Sequence, residues 1–431
     1  MRARTLLLLT VSFIVSLALR AEDVYRFRGV NSQGKYQETG LLTSWPAEGL
    51  TPKWQYTELG DGWSGVTKVG RHLYVNCLSD SEAGQESVLC LNLQGKKVWQ
   101  TSTGIQWTKS HSSARATPTF CDGRILVYSG GGELCCLDAK DGRLLWKSEL
   151  AQKYGTAFGG WGLAESVVAQ DGKVFVTVAG KKASAVALKL SDGSVLWEAA
   201  PTRDRGAYVT PVLYEKQLIM LTAKIVFAAD IDSGKILWQE SYADAAETGG
   251  KGGINCNTPL LKGRKLLLAA GYDQGGVMFE ILPNAKGLKK LWLNKDLDPH
   301  HGGMVELNGR IYASNWLNNS SGNWICVDWN TGRTIYETPW AKLGKGSIIT
   351  ADGMLYVYEE KRGTLALVKP GNEFTIVSSF PITYGTREHW SHPVISDGVL
   401  YLRRGTTLAA FDLRANRGTG SGKKSSQERR R

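Results

Sequence analysis

The chain has 431 residues, of which 42% are hydrophobic and 10% aromatic, and it contains 50 Gly and 15 Trp. This composition excludes a disordered or collagen-like chain. The formal net charge of +12 is concentrated at the ends, because residues 414–431 carry +6 and residues 1–21 carry +3. The body between them is left with only +3, so we expect no nucleic-acid partner.

Residues 1–21 have the pattern of a secretory signal peptide. Arg2 and Arg4 precede an apolar run over residues 6–19, and Ala18 and Ala21 are small residues suited to cleavage. A membrane anchor is the alternative, but the run is short for a helix that spans a bilayer. The first cysteine, Cys77, is far from the cleavage point. We therefore expect no lipid anchor, and a periplasmic or secreted protein.

An internal repeat follows along the chain, built on a Gly that precedes an aromatic residue by four positions. It occurs at Gly95/Trp99, Gly142/Trp146, Gly193/Trp197, Gly234/Trp238 and Gly332/Tyr336. A second turn, often Asp-Gly, lies upstream and is followed by a short β-rich run such as residues 124–128 or 173–177. Asx-Gly between such runs indicates a hairpin. Four short strands in each unit of 41–54 residues are typical of a β-propeller blade.

The second turns define eight units, at Gly70, Gly123, Gly172, about Lys216, Gly263, Gly309, Gly353 and Gly398. The eighth unit lacks its closing aromatic strand, while residues 52–56 form an unpaired strand around Trp54. We therefore predict an all-β, eight-bladed propeller of four-stranded antiparallel blades over residues 22–413. Its ring is closed by the Trp54 strand, paired with residues 407–413. Residues 414–431, rich in Gly, Ser, Lys and Arg, are predicted to be a disordered tail.

The unit at residues 122–146, DGRILVYSGGGELCCLDAKDGRLLW, resembles the PQQ-type propeller repeat. That repeat occurs in quinoprotein alcohol dehydrogenases and in the propeller lipoprotein of the outer-membrane assembly machinery. Other segments resemble exported bacterial PQQ-like repeat proteins, and they lie at residues 27–29, 40–46, 161–166, 344–346 and 389–392. The resemblance covers residues 24–413 and implies the propeller fold. It does not single out one activity, because the repeat is structural and its members have unrelated functions.

The residues that open the blades are the candidates for ligand binding. Equivalent positions of all blades converge on the propeller axis, so residues before each innermost strand should gather at one mouth of the central channel. The candidates are Arg115, Trp161, Glu165, Tyr208, Asn257, His300, His301, His389 and Trp390, with Trp63, Asn255 and Lys345 beside them. Aromatic faces with convergent polar groups suit a small-molecule, carbohydrate or protein ligand. The alternative is a water-filled channel rimmed by residues that only close loops.

Two functions are left open by these residues. The first is an exported binding or scaffolding module with a ligand site at the channel mouth and with no cofactor or metal expected. The alternative, implied by the resemblance, is a quinoprotein dehydrogenase that oxidises an alcohol or sugar with PQQ and Ca²⁺. Those enzymes supply Glu, Asn and Asp in that chain order, and Glu165, Asn255 or Asn257, and Asp298 stand in the same order here. Trp161 or Trp390 would be the aromatic floor under the cofactor.

Vicinal Cys135 and Cys136 bear on that alternative, because quinoprotein dehydrogenases of this fold carry a vicinal disulfide against the cofactor. In this chain the pair lies inside a predicted strand. The position of Cys136 is held in the other units by small residues, namely Cys90, Ala187, Ala228, Cys326 and Ala410. Free Cys packs as a small apolar side chain. We therefore expect no cofactor disulfide.

Overall fold

The computed structural model describes residues 23–248, 253–340 and 344–415. Their strands form eight sheets in a ring around a central channel, so the predicted all-β, eight-bladed propeller is confirmed. The predicted signal peptide, residues 1–21, lies outside the described residues, as does the predicted tail from residue 416 onward. The first two tail residues are paired with the body, since Leu41 forms a bridge with Arg414 and the Ala415 N–H donates to the Gly40 carbonyl (2.9 Å).

Each of blades 1 to 4 contains four antiparallel strands that run in chain order from the channel outward. Blade 1 contains Val66–Val69, His72–Leu78, Gln85–Asn92 and Lys97–Ile105. Blade 2 contains Thr119–Cys121, Arg124–Tyr128, Leu134–Asp138 and Leu144–Ser148. Blade 3 contains Val168–Gln170, Lys173–Thr177, Ala185–Lys189 and Val195–Ala199. Blade 4 contains Val212–Tyr214, Gln217–Leu221, Ile225–Asp230 and Ile236–Ser241.

The second half of the ring repeats this arrangement. Blade 5 contains Leu260–Lys262, Lys265–Ala270, Gly275–Ile281 and Leu288–Asn294. Blade 6 contains Pro299–Leu307, Arg310–Asn315, Trp324–Asp328 and Thr334–Thr338. Blade 7 contains Gly346–Ala351, Met354–Glu359, Thr364–Lys369 and Thr375–Pro381. Blade 8 contains Val394–Ser396, Val399–Arg404 and Thr407–Asp412.

The fourth strand of blade 8 is Trp54–Tyr56, which pairs antiparallel with Thr407–Asp412 and places Trp54 opposite Ala410. The predicted ring closure is therefore confirmed. The helical segments of the described residues are short, namely Val30–Ser32, Leu150–Tyr154, Tyr242–Ala245 and Pro283–Ala285. In the described part of the chain, no helix has the length and apolar character needed to cross a bilayer.

The Gly–Trp repeat is the contact that joins one blade to the next. The Trp146 ring of blade 2 covers Gly193 of blade 3, where a Cβ would lie 2.7 Å from the ring. Gly193 also has φ of +73°, which disfavours any other residue. The Trp146 Nε1–H then donates to the Leu190 carbonyl (2.9 Å). Trp197 and Trp292 repeat both contacts across their blade boundaries. Trp99 packs on Gly142 in the same way, but its Nε1 has no hydrogen-bond partner among the described residues.

The small residues of the repeat lie directly opposite these Trp side chains. Cys136 faces Trp146, Ala187 faces Trp197 and Ala228 faces Trp238 in neighbouring strands. Cys135 and Cys136 are free thiols that pack into two different apolar clusters, on opposite faces of one strand. The vicinal pair is therefore part of the core on both faces of blade 2.

The segment before the closing strand, which the repeat did not predict, runs around the inside of the propeller. We call residues 23–41 the inner arc. Val24 bridges to Lys68 of blade 1, and the Tyr25 carbonyl accepts from the Phe120 N–H of blade 2 (2.8 Å). Lys35–Tyr36 adds a parallel strand to the innermost strand of blade 7.

Further along the inner arc, side chains contact the innermost strands of blades 4 and 5. Asn31 accepts from the Leu213 N–H of blade 4 and donates to the Leu213 carbonyl, both at 3.0 Å. Gln33 accepts from the Leu261 N–H of blade 5 (2.8 Å). These contacts lie at central or carboxyl-terminal residues of the innermost strands, whereas the predicted mouth lies at their amino ends. The inner arc therefore covers the channel end opposite the mouth.

Candidate functional site

Aromatic and imidazole rings from several blades meet at the amino ends of the innermost strands. The ring centroids of Trp63 and Trp390 are 4.8 Å apart, and those of His111 and His301 each lie 5.1 Å from Trp390. The His300 and His301 centroids are 4.4 Å apart. These residues lie before blades 1, 2 and 8 and at the start of blade 6, so the cluster is assembled by the closed ring.

Two further rings extend the row on the side of blade 5. Tyr272 lies 5.2 Å from His300 and 5.0 Å from Trp316, between ring centroids, and its hydroxyl is 2.9 Å from His300 Nε2. We call the whole set the mouth cluster; its members are Trp63, His111, Tyr272, His300, His301, Trp316 and Trp390. His111 is exposed and the other six are half-buried.

A bulge in the first strand of blade 6 brings the two neighbouring histidines to one side. Side chains alternate between faces along a regular strand, so adjacent residues should point apart. Here Pro299 pairs with Asn315 while Met304 pairs with Ala313, which leaves extra residues on the inner strand. Such a bulge re-aims side chains. It explains why the rings of His300 and His301 pack against each other.

A buried ion pair lies next to the two histidines. Lys345, which is 1% exposed, pairs with Glu360 Oε1 and donates to the Asn319 carbonyl (3.0 Å). The other carboxylate oxygen, Glu360 Oε2, lies 3.4 Å from His301 Nε2. Burial raises the pKa of Glu360 to about 6, although Lys345 opposes this.

The imidazoles of His300 and His301 are neutral near pH 7. Burial lowers the pKa of His300 to about 2, and the neighbouring charges of His301 and Lys345 act in the same direction. Burial also lowers the pKa of His301 to about 3, again with the help of Lys345. A neutral imidazole keeps one ring nitrogen free to accept a hydrogen bond or bind a metal.

Three more of the predicted residues lie at or near the mouth cluster. The Arg115 guanidinium lies 5.9 Å from the Trp63 ring, and its Nη2 donates to the Ser110 carbonyl (2.8 Å) and to the His111 carbonyl. Trp161 and Tyr208 form a separate pair with centroids 5.8 Å apart. The Tyr208 hydroxyl accepts from the Trp161 N–H (3.4 Å).

Asn257 and Asp298 hold the backbone segments that carry members of the mouth cluster. Asn257 donates to the carbonyls of Pro299 (2.7 Å) and His300 (2.6 Å) and accepts from the Gly303 N–H (3.0 Å), so it holds both ends of the bulge. Asp298 accepts from three consecutive backbone N–H groups at residues 273–275, at 2.9–3.1 Å. It therefore fixes the turn that carries Tyr272.

Glu165 contacts its own blade 3, whereas His389, which precedes blade 8, contacts blade 7. The Glu165 carboxylate accepts from the Thr177 N–H (3.0 Å), and the residue is 3% exposed. His389 Nδ1 is 2.5 Å from the Tyr358 hydroxyl, and its ring fills the space that a Cβ at Gly363 would need. Their positions along the chain are those of mouth residues, but their side chains are used to hold neighbouring strands.

The residues of the calcium–quinone alternative do not fit that group. A calcium site needs several oxygen ligands that face one point. The oxygens of Asn257 and Asp298 already accept backbone N–H groups from residues 303 and 273–275, and a Glu165 oxygen accepts from residue 177. We therefore derive no chemistry through PQQ or Ca²⁺.

Several mouth residues were not predicted from the sequence. Tyr272, Trp316 and Glu360 follow the second strands of blades 5, 6 and 7. Because the first two strands of a blade are antiparallel, the end of the second lies at the same edge as the start of the first. The loops after the second strands therefore also reach the mouth, and aromatic or charged residues in them could have been included.

Replacing Glu165 with Gln should make the protein less sensitive to alkaline pH. Burial raises the pKa of Glu165 to about 8, so the folded state holds a proton that the unfolded chain releases near pH 4.5. Wild-type stability should fall as pH rises toward that folded-state pKa, by at most about 1.4 kcal/mol per pH unit. Gln cannot ionise, and its oxygen can still accept from Thr177.

The measurement is the denaturant midpoint of both proteins at about pH 5 and about pH 9. Glu82→Gln, at an exposed position, is the matched control for loss of one carboxylate. Equal pH dependence in wild type and Glu165→Gln would contradict the prediction.

Comparison with known proteins identifies the family of this propeller. The family model described as outer membrane protein assembly factor BamB matches residues 84–315, which is more than half of the chain. The chain belongs to this family of PQQ-type propellers. A curated relative, BamB of Yersinia pestis, is 26% identical over 182 residues. That match covers 41% of this chain and 41% of the relative, so the chain spans about two fifths of the relative's length.

Solved structures share the fold at low sequence identity. BamB from Moraxella catarrhalis superposes with a TM-score of 0.60 at 15% identity, covering 84% of this chain and 99% of that one. A europium-containing methanol dehydrogenase gives 0.64 at 12%, covering 89% of each chain. Quinohemoprotein alcohol dehydrogenase from Comamonas testosteroni gives 0.63 at 12%, covering 91% and 80%. These likenesses show the propeller fold alone.

Proposed function

We propose that this protein is an exported, non-catalytic binding module that holds a ligand at the mouth of its central channel. The observation that carries the proposal is a concentration of unused polar atoms among the rings of the mouth. Trp63 Nε1, Arg115 Nη1, His300 Nδ1 and His301 Nε2 are buried and have no hydrogen-bond partner among the described residues. Buried polar groups are nearly always paired, so unpaired ones at a cleft suggest a missing ligand or ordered water.

The chemistry of these groups favours a ligand with a flat apolar face and several acceptors. The indole and guanidinium atoms are hydrogen-bond donors, and the rings around Trp390 offer faces for stacking. A pyranose ring has both features, since one face carries C–H groups and its edge carries hydroxyl oxygens. We therefore propose a carbohydrate as the ligand class.

The inner arc supports a ligand that enters the channel at the mouth and does not pass through it. It covers the opposite channel end with contacts to innermost strands of blades 1, 2, 4, 5 and 7. A ligand that enters at the mouth would therefore stop within the propeller. The signal-peptide pattern of residues 1–21 supports an exported location, as does membership of a family described by an outer-membrane assembly factor.

Binding of soluble hexasaccharides, namely cellohexaose, maltohexaose and chitohexaose, tests the proposal by titration of tryptophan fluorescence. Wild type should bind at least one of them, and Trp390→Ala should weaken that affinity about tenfold while the melting temperature stays nearly unchanged. Trp390→Phe should keep most of the affinity because it keeps an aromatic face. Tyr25→Ala, which removes an exposed ring from the inner arc, is the matched control and should bind as wild type does.

Two results would count against the proposal. One is the absence of binding to all three sugars. The other is a Trp390→Ala variant with unchanged affinity and a large fall in melting temperature, which would make the ring structural. A peptide that binds at the mouth where the sugars do not would replace carbohydrate by a protein ligand.

A further inference from the structure

Three side chains of the mouth lie close enough to share one metal ion. One ligand atom from each of His300, His301 and Glu360 lies within 4.8 Å of the other two. Among the described residues, this is the one group of three or more His, Cys, Asp or Glu side chains with that property. The group joins blade 6 to blade 7, so it is formed only when the two blades pack together.

Each of the three side chains has a free ligand atom. His300 Nε2 is 2.9 Å from the Tyr272 hydroxyl, which leaves its buried Nδ1 without a hydrogen-bond partner in the described structure. His301 Nε2 is likewise buried without a hydrogen-bond partner there, 3.4 Å from Glu360 Oε2. Glu360 Oε1 is occupied by Lys345, so Oε2 is the oxygen that faces the imidazole.

The surrounding contacts hold these ligand atoms in place. Tyr272 orients the ring of His300, and Lys345 fixes the carboxylate of Glu360. The backbone is held as well, because Asn257 donates to the His300 carbonyl (2.6 Å) and His392 Nε2 lies 3.0 Å from the His301 carbonyl. Metal sites in proteins are typically supported by such outer contacts, which set the tautomer and direction of each ligand.

The donor types and the separation of His301 from Glu360 agree best with zinc. Around a tetrahedral Zn²⁺ with bonds of about 2.0–2.1 Å, neighbouring ligand atoms are about 3.3 Å apart. His301 Nε2 and Glu360 Oε2 already have that separation, at 3.4 Å. Two neutral imidazoles and one carboxylate form a ligand set of Zn²⁺ sites that keep an open coordination position.

We propose that His300, His301 and Glu360 form a Zn²⁺ site at the channel mouth, with Lys345 and Tyr272 as positioning residues. The open position would accept water or an oxygen of a ligand that stacks on Trp390. The site stands on its own geometry and does not depend on the carbohydrate proposal. It differs from the expectation drawn from the sequence, which included no metal.

The competing explanation is a hydrogen-bond network without metal. In that case His301 would donate to Glu360, and Lys345 would neutralise the carboxylate. The ammonium group of Lys345 also repels a cation, which lowers the affinity that the three ligands alone would give. Direct metal titration separates the two explanations, because a network that binds no metal shows no saturable uptake.

The experiment is titration of the chelator-treated folded protein with ZnCl₂ by calorimetry, and with CoCl₂ by visible absorption. Wild type should bind one Zn²⁺ per chain and give a cobalt spectrum of nitrogen and oxygen ligands. His301→Ala and Glu360→Gln should abolish stoichiometric binding. Tyr272→Phe should weaken it about tenfold to a hundredfold, as outer contacts do. His72→Ala, at an imidazole on blade 1, is the matched control and should bind as wild type does.

Three results would overturn the proposal. They are no saturable binding by wild type at micromolar zinc, binding by His301→Ala equal to wild type, or a cobalt–thiolate band that assigns the metal to a cysteine. Melting curves of each variant show whether lost binding reflects lost folding. Trp390→Ala should retain zinc even where it loses sugar affinity, so the two proposals can fail separately.

Discussion

Deleting residues 22–58 should abolish the cooperative folding of the propeller. The deletion removes Trp54–Tyr56, the fourth strand of blade 8, together with the whole inner arc. Thr407–Asp412 would then present an unpaired edge, and exposed edges of this kind promote aggregation. The buried carbonyl and N–H groups that the inner arc satisfies would lose their partners as well. We expect an aggregated or molten product, measured by calorimetry and size-exclusion chromatography.

A point substitution in the same strand gives a graded version of this test. Trp54 covers Gly95 of blade 1, and its Nε1–H donates to the Leu93 carbonyl (2.9 Å). Trp54→Ala removes both contacts and should destabilise the ring by about 3–5 kcal/mol. Leu196→Ala, at a side chain that is 46% exposed on the outer strand of blade 3, should cost little. A deletion variant that melts cooperatively at the wild-type temperature would refute the closure model.

The fold could be predicted because its sequence signal is also its main packing contact. The Gly of one unit needs a positive φ and contacts the Trp of the unit before it, as Gly193 and Trp146 show. The small residue opposite each Trp follows from the same packing, as Cys136 opposite Trp146 shows. Because these contacts repeat in each unit, the number of blades and the closing strand could be predicted from the sequence.

The inner arc could not be predicted because it has no periodic pattern. Its contacts are specific hydrogen bonds between residues distant in sequence, such as Asn31 with Leu213 and Gln33 with Leu261. Three of its residues, Arg28, Asn31 and Ser32, have positive φ without being glycine. Local propensity disfavours that conformation, so only the assembled ring stabilises it.

The site could be predicted in part. Position within a blade grouped His300, His301 and Trp390, and the structure brings their rings together. It did not specify the direction of each side chain. Glu165 contacts the second strand of its own blade, and His389 contacts Tyr358 of blade 7. The bulge that joins His300 to His301 depends on contacts from Asn257, which no single-unit pattern contains.

Replacing Arg28 should loosen the inner arc and disturb the mouth cluster at the same time. The Arg28 guanidinium is fully enclosed, and it donates to the carbonyls of Ile348 (2.9 Å) and Met304 (2.5 Å). Its Nη1 also lies 2.8 Å from Nδ1 of His392, whose other ring nitrogen is 3.0 Å from the His301 carbonyl. Arg28 therefore links the covered end of the channel to the backbone of the proposed metal ligands.

Arg28→Met keeps much of the side-chain volume but leaves two buried carbonyls without donors. Each unsatisfied group costs about 1–3 kcal/mol, so the variant should lose about 2–6 kcal/mol of stability. Arg28→Lys should recover little, because a single ammonium group cannot reproduce the fork of donors that reaches both carbonyls. Lys35→Met, which breaks a half-exposed ion pair with Glu306 on the same segment, should cost no more than about 1 kcal/mol.

Hydrogen exchange distinguishes a local from a transmitted effect in these variants. If Arg28 connects the two ends of the channel, Arg28→Met should raise exchange both at residues 23–41 and at residues 299–304. Lys35→Met should raise it at residues 23–41 alone, because its ion pair with Glu306 lies at the far end of that strand. Stability losses of equal size in the two variants, or exchange that stays unchanged at residues 299–304, would show that the inner arc covers the channel without supporting the mouth.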